Sequence, residues 1–201
     1  MSNVQSQQTE QLLKRIGELD NKKRKALFFK LDQSGVKPGR LPIVPLNERE
    51  FLPLSYAQQR LWFLWTMEPE STAYHIASAL RLNGDLDIAA LQQSFNFLIE
   101  RHEALRTNFV MHDGHPVQQI YPESTLQLDP VVSATTDEKI IRALIETEIQ
   151  QPFNLEKDSL LRVKLLRITA QEHVLVITQH HIISDGWSIQ LMVQQLLECY
   201  R

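Results

Sequence analysis

Most of the chemistry-bearing residue types in this chain gather in Gln179-His180-His181-Ile182-Ile183-Ser184-Asp185-Gly186-Trp187-Ser188. Two adjacent histidines are followed, three residues on, by an Asp-Gly pair. Imidazole is the side chain whose ordinary charge change falls near neutral pH. A backbone N–H at a helix start, left open by a residue without Cβ, favours a developing anion. The flanking residues give these groups a direction. Val174-Leu175-Val176-Ile177 is a short continuous apolar run, which reads as a strand buried on both faces. Ile189, Met192, Val193, Leu196 and Leu197 follow the spacing of a core-facing helix. The histidines therefore fall at a strand end and Asp185-Gly186 at the turn into a helix. An imidazole and a backbone N–H can both face a substrate there.

The rest of the composition narrows the class. A chain of 201 residues can bury one substantial core, which favours one main domain plus an appendage. Its 43% hydrophobic and 22% charged content is that of an ordinary globular protein. A net charge of −3 gives no electrostatic reason to expect nucleic acid or an anionic membrane as partner. No apolar run approaches the ~18 residues that a membrane span needs. Residues 1–10 are polar and lack an apolar signal core, so the expected location is the cytoplasm. The lone Cys199 excludes an internal disulfide framework and any cysteine-rich metal site. No bound metal and no directly bound cofactor are expected.

Three regions are expected along the chain. Residues 1–40 hold nine Lys or Arg against four Asp or Glu. Leu12, Leu13, Ile16 and Leu19 suggest one short amphipathic helix there. A second should begin near Asp20 or Asn21, run through Leu27, Phe28 and Leu31, and stop at Ser34-Gly35. Lys22-Lys23-Arg24-Lys25 is either a solvated helix face, the commoner case, or a docking patch. Residues 41–50 continue the linker composition set by Gly35, Pro38, Gly39, Pro42 and Pro45. Residues 51–201 alternate between helix and strand patterns. Ser55 caps a helix through Leu61 and Trp65, and Tyr74–Leu82 is a strand. Asp87 caps a helix through Phe95, Leu98 and His102. A hairpin turns at Asp113-Gly114, Leu126–Val132 adds a strand, and Ile140–Ile149 is helical. Leu160–Ile168 pairs with His173–Gln179. The fold class is thus α/β: a mixed sheet with helices, preceded by a short helical segment.

Three blocks of this sequence resemble the condensation domains of nonribosomal peptide synthetases. His180-His181-Ile182-Ile183-Ser184-Asp185-Gly186 is similar to their His-His-x-x-x-Asp-Gly signature. Ser55-Tyr56-Ala57-Gln58-Gln59-Arg60-Leu61-Trp62 and Arg101-His102-Glu103-Ala104-Leu105-Arg106-Thr107-Asn108-Phe109 are similar to two others, in the same order. Asn83-Gly84-Asp85-Leu86-Asp87 resembles a connecting Gly-x-Leu-Asp. Gln179 departs from the family's frequent Met. The resemblance covers about residues 50–201 and implies the first lobe of a chloramphenicol acetyltransferase-like α/β sandwich, with the second lobe absent. Ser184-Asp185-Gly186-Trp187-Ser188 resembles the subtype that joins an L-configured donor to an L-configured acceptor.

The resemblance implies amide-bond formation between substrates held as thioesters on the 4′-phosphopantetheine arms of donor and acceptor peptidyl carrier domains. It makes His181 the group that meets the attacking amine, as proton acceptor or by positioning, with the second role slightly favoured. The Gly186 N–H is the candidate oxyanion donor. His180 is structural. Asp185 is expected to form a structural ion pair with Arg106, or failing that Arg101, because a partly buried carboxylate without a cation is costly. Trp187 is expected to pack, and His102 to be a hydrogen-bonded buried histidine. Residues 1–40 would then face an upstream synthetase protein. The isolated lobe is expected to be inactive. Other readings are a starter-type domain acylating the first amino acid, a docking module without catalysis, and an acyl-coenzyme A acetyltransferase. The last fits the histidines but not the Ser55–Leu64 and Arg101–Phe109 blocks.

Overall fold

The computed structural model describes residues 14–35, 51–133 and 135–201. Leu12, Leu13 and the 41–50 linker lie outside the described residues. The chain divides at residue 50 into two compact units.

In the first unit, helix α1 spans Asn21–Gln33. Asp20 caps it in extended conformation, its side chain accepting the Lys23 N–H at 2.7 Å. The helix ends where Gly35 takes φ +82°, a left-handed conformation that suits glycine.

The second unit is built around two sheets. Strands β1 (Leu52–Pro53), β3 (Thr107–His112) and β4 (His115–Ile120) form a small sheet in the order β1-β4-β3. The other sheet runs β2 (His75–Asn83), β7 (Glu172–His180), β6 (Leu161–Arg167) and β5 (Val131–Val132). Its β5–β6 pair is parallel and the rest antiparallel, so the sheet is mixed as expected. Helices α2 (Tyr56–Met67), α3 (Ile88–Arg101), α4 (Glu138–Ile149) and α5 (Gly186–Tyr200) complete the unit.

Each of these helices starts on a residue whose side chain satisfies an otherwise orphaned N–H. Ser55 and Gln58 form a reciprocal capping box on α2. Asp87, Asp137 and Asp185 cap α3, α4 and α5. The β3–β4 hairpin closes with only Asp113 and Gly114 between His112 and His115. Both have positive φ, as a two-residue hairpin loop requires.

Strand β7 is the spine. Eight of its nine residues are buried, which explains its continuous apolar run. On one face Leu175 and Ile177 pack with Phe95 and Leu98 of α3 and Met192 and Leu196 of α5. On the other, Val174 and Val176 pack with Ile141 of α4 and Leu166. A third cluster joins Trp62, Phe109, Phe153, Leu155 and Leu160 to Ile182, just past the strand end.

Two expectations are corrected. Leu126–Val132 is a strand only at Val131–Val132. The Leu126 N–H and C=O are taken by the Asn96 side chain, and the Leu128 N–H by Gln92 Oε1, so helix side chains replace a ladder. On α5, Met192 and Leu196 are buried, but Leu197 is 54% exposed.

Candidate active site

The β2–β7 ladder pairs His75 with His180 and runs one bond further, from the His181 N–H to the Tyr74 carbonyl at 2.9 Å. The chain then turns through residues 181–183. The two adjacent histidines meet opposite environments because His180 is the last residue of the buried strand and His181 the first of the turn. His180 is 3% exposed, and its Nδ1 accepts the Ile182 N–H at 3.1 Å. His181 is exposed.

Burial lowers the His180 pKa to about 4, with smaller repulsion from His75 and His181. This ring stays neutral at physiological pH. Its neighbour His75 donates from Nδ1 to the Ile149 carbonyl at 2.9 Å and meets Phe153 edge-on. Burial lowers its pKa as well. His180 and His75 thus form a neutral, packed support beneath the turn that displays His181.

His181 opens onto a cleft of about 530 Å³, lined also by Ser55, Gln58, Arg60, Tyr74 and Asp185. Gln58 joins the cleft wall to the turn, its Nε2 donating to the Ile182 carbonyl at 3.4 Å. One residue thereby caps α2 and braces the histidine turn. Sequence reasoning does not single out Arg60 or Tyr74 for this cleft. Arg60 stands inside a matched block, whereas Tyr74 reads only as a strand start, and only the fold brings it here.

Asp185 begins α5. Its Oδ1 accepts the Ser188 N–H at 2.8 Å and the Ser188 hydroxyl at 2.7 Å. These bonds, led by the backbone N–H, hold its carboxyl below the usual carboxylate range, with a smaller attraction to His181. The expected Asp185–Arg106 ion pair is not formed. Arg106 donates to the Tyr121 carbonyl and, at 3.5 Å, to that of Glu100, and it faces Glu103 at 3.7 Å. Arg101, the second choice, is exposed at the last residue of α3. The reason is exposure: a carboxylate in water at a helix N-terminus is satisfied by N–H groups and needs no buried cation.

Trp187 is also corrected, being 79% exposed rather than packed. It precedes Met192 by five residues and Leu196 by nine, which places it off the buried stripe of a 3.6-residue helix. Gly186 stands at the first position of α5, and a Cβ built on it would meet nothing within 4 Å. His102 is half-buried, its Nε2 2.6 Å from Gln195 Oε1.

The site thus sits on a mixed-sheet α/β lobe, with a histidine displayed just past the end of an inner strand and beside a helix N-terminus. Residues 48–201 match the condensation domain family. The chain belongs to that family. It is 37% identical over 165 residues to gramicidin S synthase 2 of Brevibacillus brevis, covering 82% of this chain and 4% of that protein. It is 41% identical over 162 residues to malpinin synthetase of Mortierella alpina, covering 80% of this chain and 2% of that one. Among solved structures it resembles the X-domain in its complex with OxyB from teicoplanin biosynthesis, with a TM-score of 0.71, 32% identity, 78% of this chain and 34% of that chain covered. It also resembles the starter condensation domain of rhizomide synthetase RzmA, with a TM-score of 0.66, 27% identity, 74% of this chain and 37% of that chain covered. The chain thus spans only a few per cent of the synthetases it matches and about a third of these solved chains. Among the described residues no helix is long and apolar enough to cross a membrane.

Proposed function

We propose that this chain is the first lobe of a domain that forms amide bonds in nonribosomal peptide synthesis. The donor acyl or peptidyl group and the acceptor aminoacyl group are both thioesters on phosphopantetheine arms of carrier domains. The acceptor amine attacks the donor carbonyl. A C–N bond forms, the C–S bond breaks, and the proton lost by the amine ends on the freed thiolate. The observation that carries this reading is His181, exposed on a cleft directly beyond a strand whose last residue is locked in place. His181 accepts the amine proton or aims the amine's lone pair, a contribution typically worth about 10²–10⁴ in rate. The Gly186 N–H, at the start of α5 three residues past that turn and between the cleft-lining Asp185 and Ser188, is the candidate oxyanion donor. Ser184-Asp185-Gly186-Trp187-Ser188 supports the subtype joining an L-configured donor to an L-configured acceptor. Asp185 acts as helix cap and as a fixed negative charge near His181.

The test uses the full synthetase with separately loaded donor and acceptor carrier domains. His181→Ala should reduce amide formation by about two to four orders of magnitude. Unchanged turnover removes His181 from the reaction.

The likeness to an X-domain solved in complex with OxyB favours a second reading, a docking module without catalysis. Amide formation by the wild-type synthetase, lost in the His181 variant, separates the two.

A further inference from the structure

Helix α2 lines the His181 cleft through Gln58, Arg60 and Leu61, and the start of α5 lines it through Asp185 and Ser188. The α2 segment is anchored to the histidine turn at two points. Gln58 donates to the Ile182 carbonyl, and Leu61 packs on the cluster that contains Trp62, Phe109 and Ile182. Arg60 falls between these anchors, so its backbone is held in place beside the turn that displays His181. Two of the cleft-lining residues bear a full charge at neutral pH, Arg60 and Asp185. Asp185 is occupied by the Ser188 N–H and hydroxyl. Arg60 is exposed and makes no hydrogen bond or ion pair among the described residues. Its guanidinium is the uncompensated charge of the cleft, and it favours an anion there.

Amide formation from a thioester develops negative charge twice. It appears on the carbonyl oxygen as the C–N bond forms, and on sulfur as the C–S bond breaks. The Gly186 N–H is the candidate partner for the oxygen, which leaves the sulfur without a counter-charge. A guanidinium suits that task, since it stays protonated at any physiological pH and is more weakly hydrated than an ammonium. We infer that Arg60 is a further catalytic residue, its guanidinium stabilising the thiolate that leaves the donor carbonyl. The electron pair of the C–S bond passes to sulfur beside Arg60, and the proton released by the acceptor amine then converts that thiolate to the free thiol. The inference rests on the proposed amide-forming reaction and adds a residue to it.

The test compares leaving groups. The full synthetase, with its acceptor carrier loaded, receives one donor acyl group as two soluble thioesters, of N-acetylcysteamine and of thiophenol. Thiophenol is the more acidic thiol and leaves more readily without help. Arg60→Met should lower kcat/KM for the N-acetylcysteamine thioester about a hundredfold, the lower end for a group that meets developing charge, because the cleft is open to water. For the thiophenol thioester the loss should stay below about tenfold. Arg60→Lys, which keeps the charge, should lie between wild type and Arg60→Met with the first thioester. Both variants should melt with wild type, since the exposed Arg60 side chain has no partner to lose. Unchanged kcat/KM in Arg60→Met, or equal losses with the two thioesters, overturns the inference. Amide formation that still requires His181 then leaves the proposed function standing. No amide from the wild-type synthetase, with these thioesters or with a carrier-bound donor, overturns both.

Discussion

The Nδ1 atom of His180 accepts the backbone N–H of Ile182, two residues further on, at 3.1 Å. That bond requires the neutral tautomer with the proton on Nε2. It sets the turn from which His181 faces the cleft. The first of the two histidines therefore shapes the second.

This bond carries a pH dependence. Burial holds His180 near pKa 4, against about 6.5 for an unfolded histidine. Between those values the unfolded chain binds more protons than the folded one. Stability from this residue is complete above about pH 6.5 and is lost as pH falls toward 4, amounting to about 3 kcal/mol in all. His75, also lowered, adds in the same direction. Urea unfolding followed from neutral pH down into the acid range should show the loss. His180→Asn, which keeps an acceptor near the Nδ1 position, should show a shallower slope. An equal slope in that variant assigns the acid sensitivity to other groups.

His181→Ala should leave the fold intact. Its side chain is exposed, and its N–H bond to the Tyr74 carbonyl belongs to the backbone. The unfolding free energy should stay within about 0.5 kcal/mol of wild type. A loss of stability comparable to that of a core deletion makes the residue structural and its effect on turnover uninformative.

Asp185→Ala removes the acceptor for the Ser188 N–H and hydroxyl, so its melting temperature should fall. Asp185→Asn keeps an acceptor for the N–H and should melt close to wild type. The depressed carboxyl makes the Asp185 contribution complete above the ordinary carboxylate range and lost as pH falls through its lowered value. An Asn variant as unstable as the Ala variant points to the charge itself, acting on the α5 N-terminus.

Gly186→Ala separates room for the chain from room for a substrate. An added Cβ meets nothing within 4 Å, and Gly186 is not among the glycines with positive φ. Stability should be unchanged or rise by up to about 1 kcal/mol, as alanine suits a helix better. If the Gly186 N–H meets the oxyanion, turnover of the full synthetase should nevertheless fall, because the added methyl group crowds the substrate there. Full turnover in this variant leaves the oxyanion role without support.

Much of the local structure was legible in the residues themselves. Side chains of Ser and Asp act on backbone groups within a few residues, and glycine reaches positive φ for want of a Cβ, so Ser55, Asp87 and the Asp113-Gly114 turn could be read directly. The buried spine of β7 was equally plain, since its apolar run has no polar break until Thr178. Trp187 was decidable too, from its offset to Met192 and Leu196, although its size argued for packing.

Local pattern alone was enough to place the two histidines at the end of a buried strand and a capped helix after them. Those facts depend on side-chain period and on near neighbours along the chain. Which charges meet is a matter of packing in three dimensions, because Asp185 and Arg106 are far apart in sequence and each found closer backbone partners. Packing also brings Gln58, Tyr74 and His181 to the border of one cleft. A cavity is the space left between elements that pack from distant parts of the chain, and no local pattern records its shape.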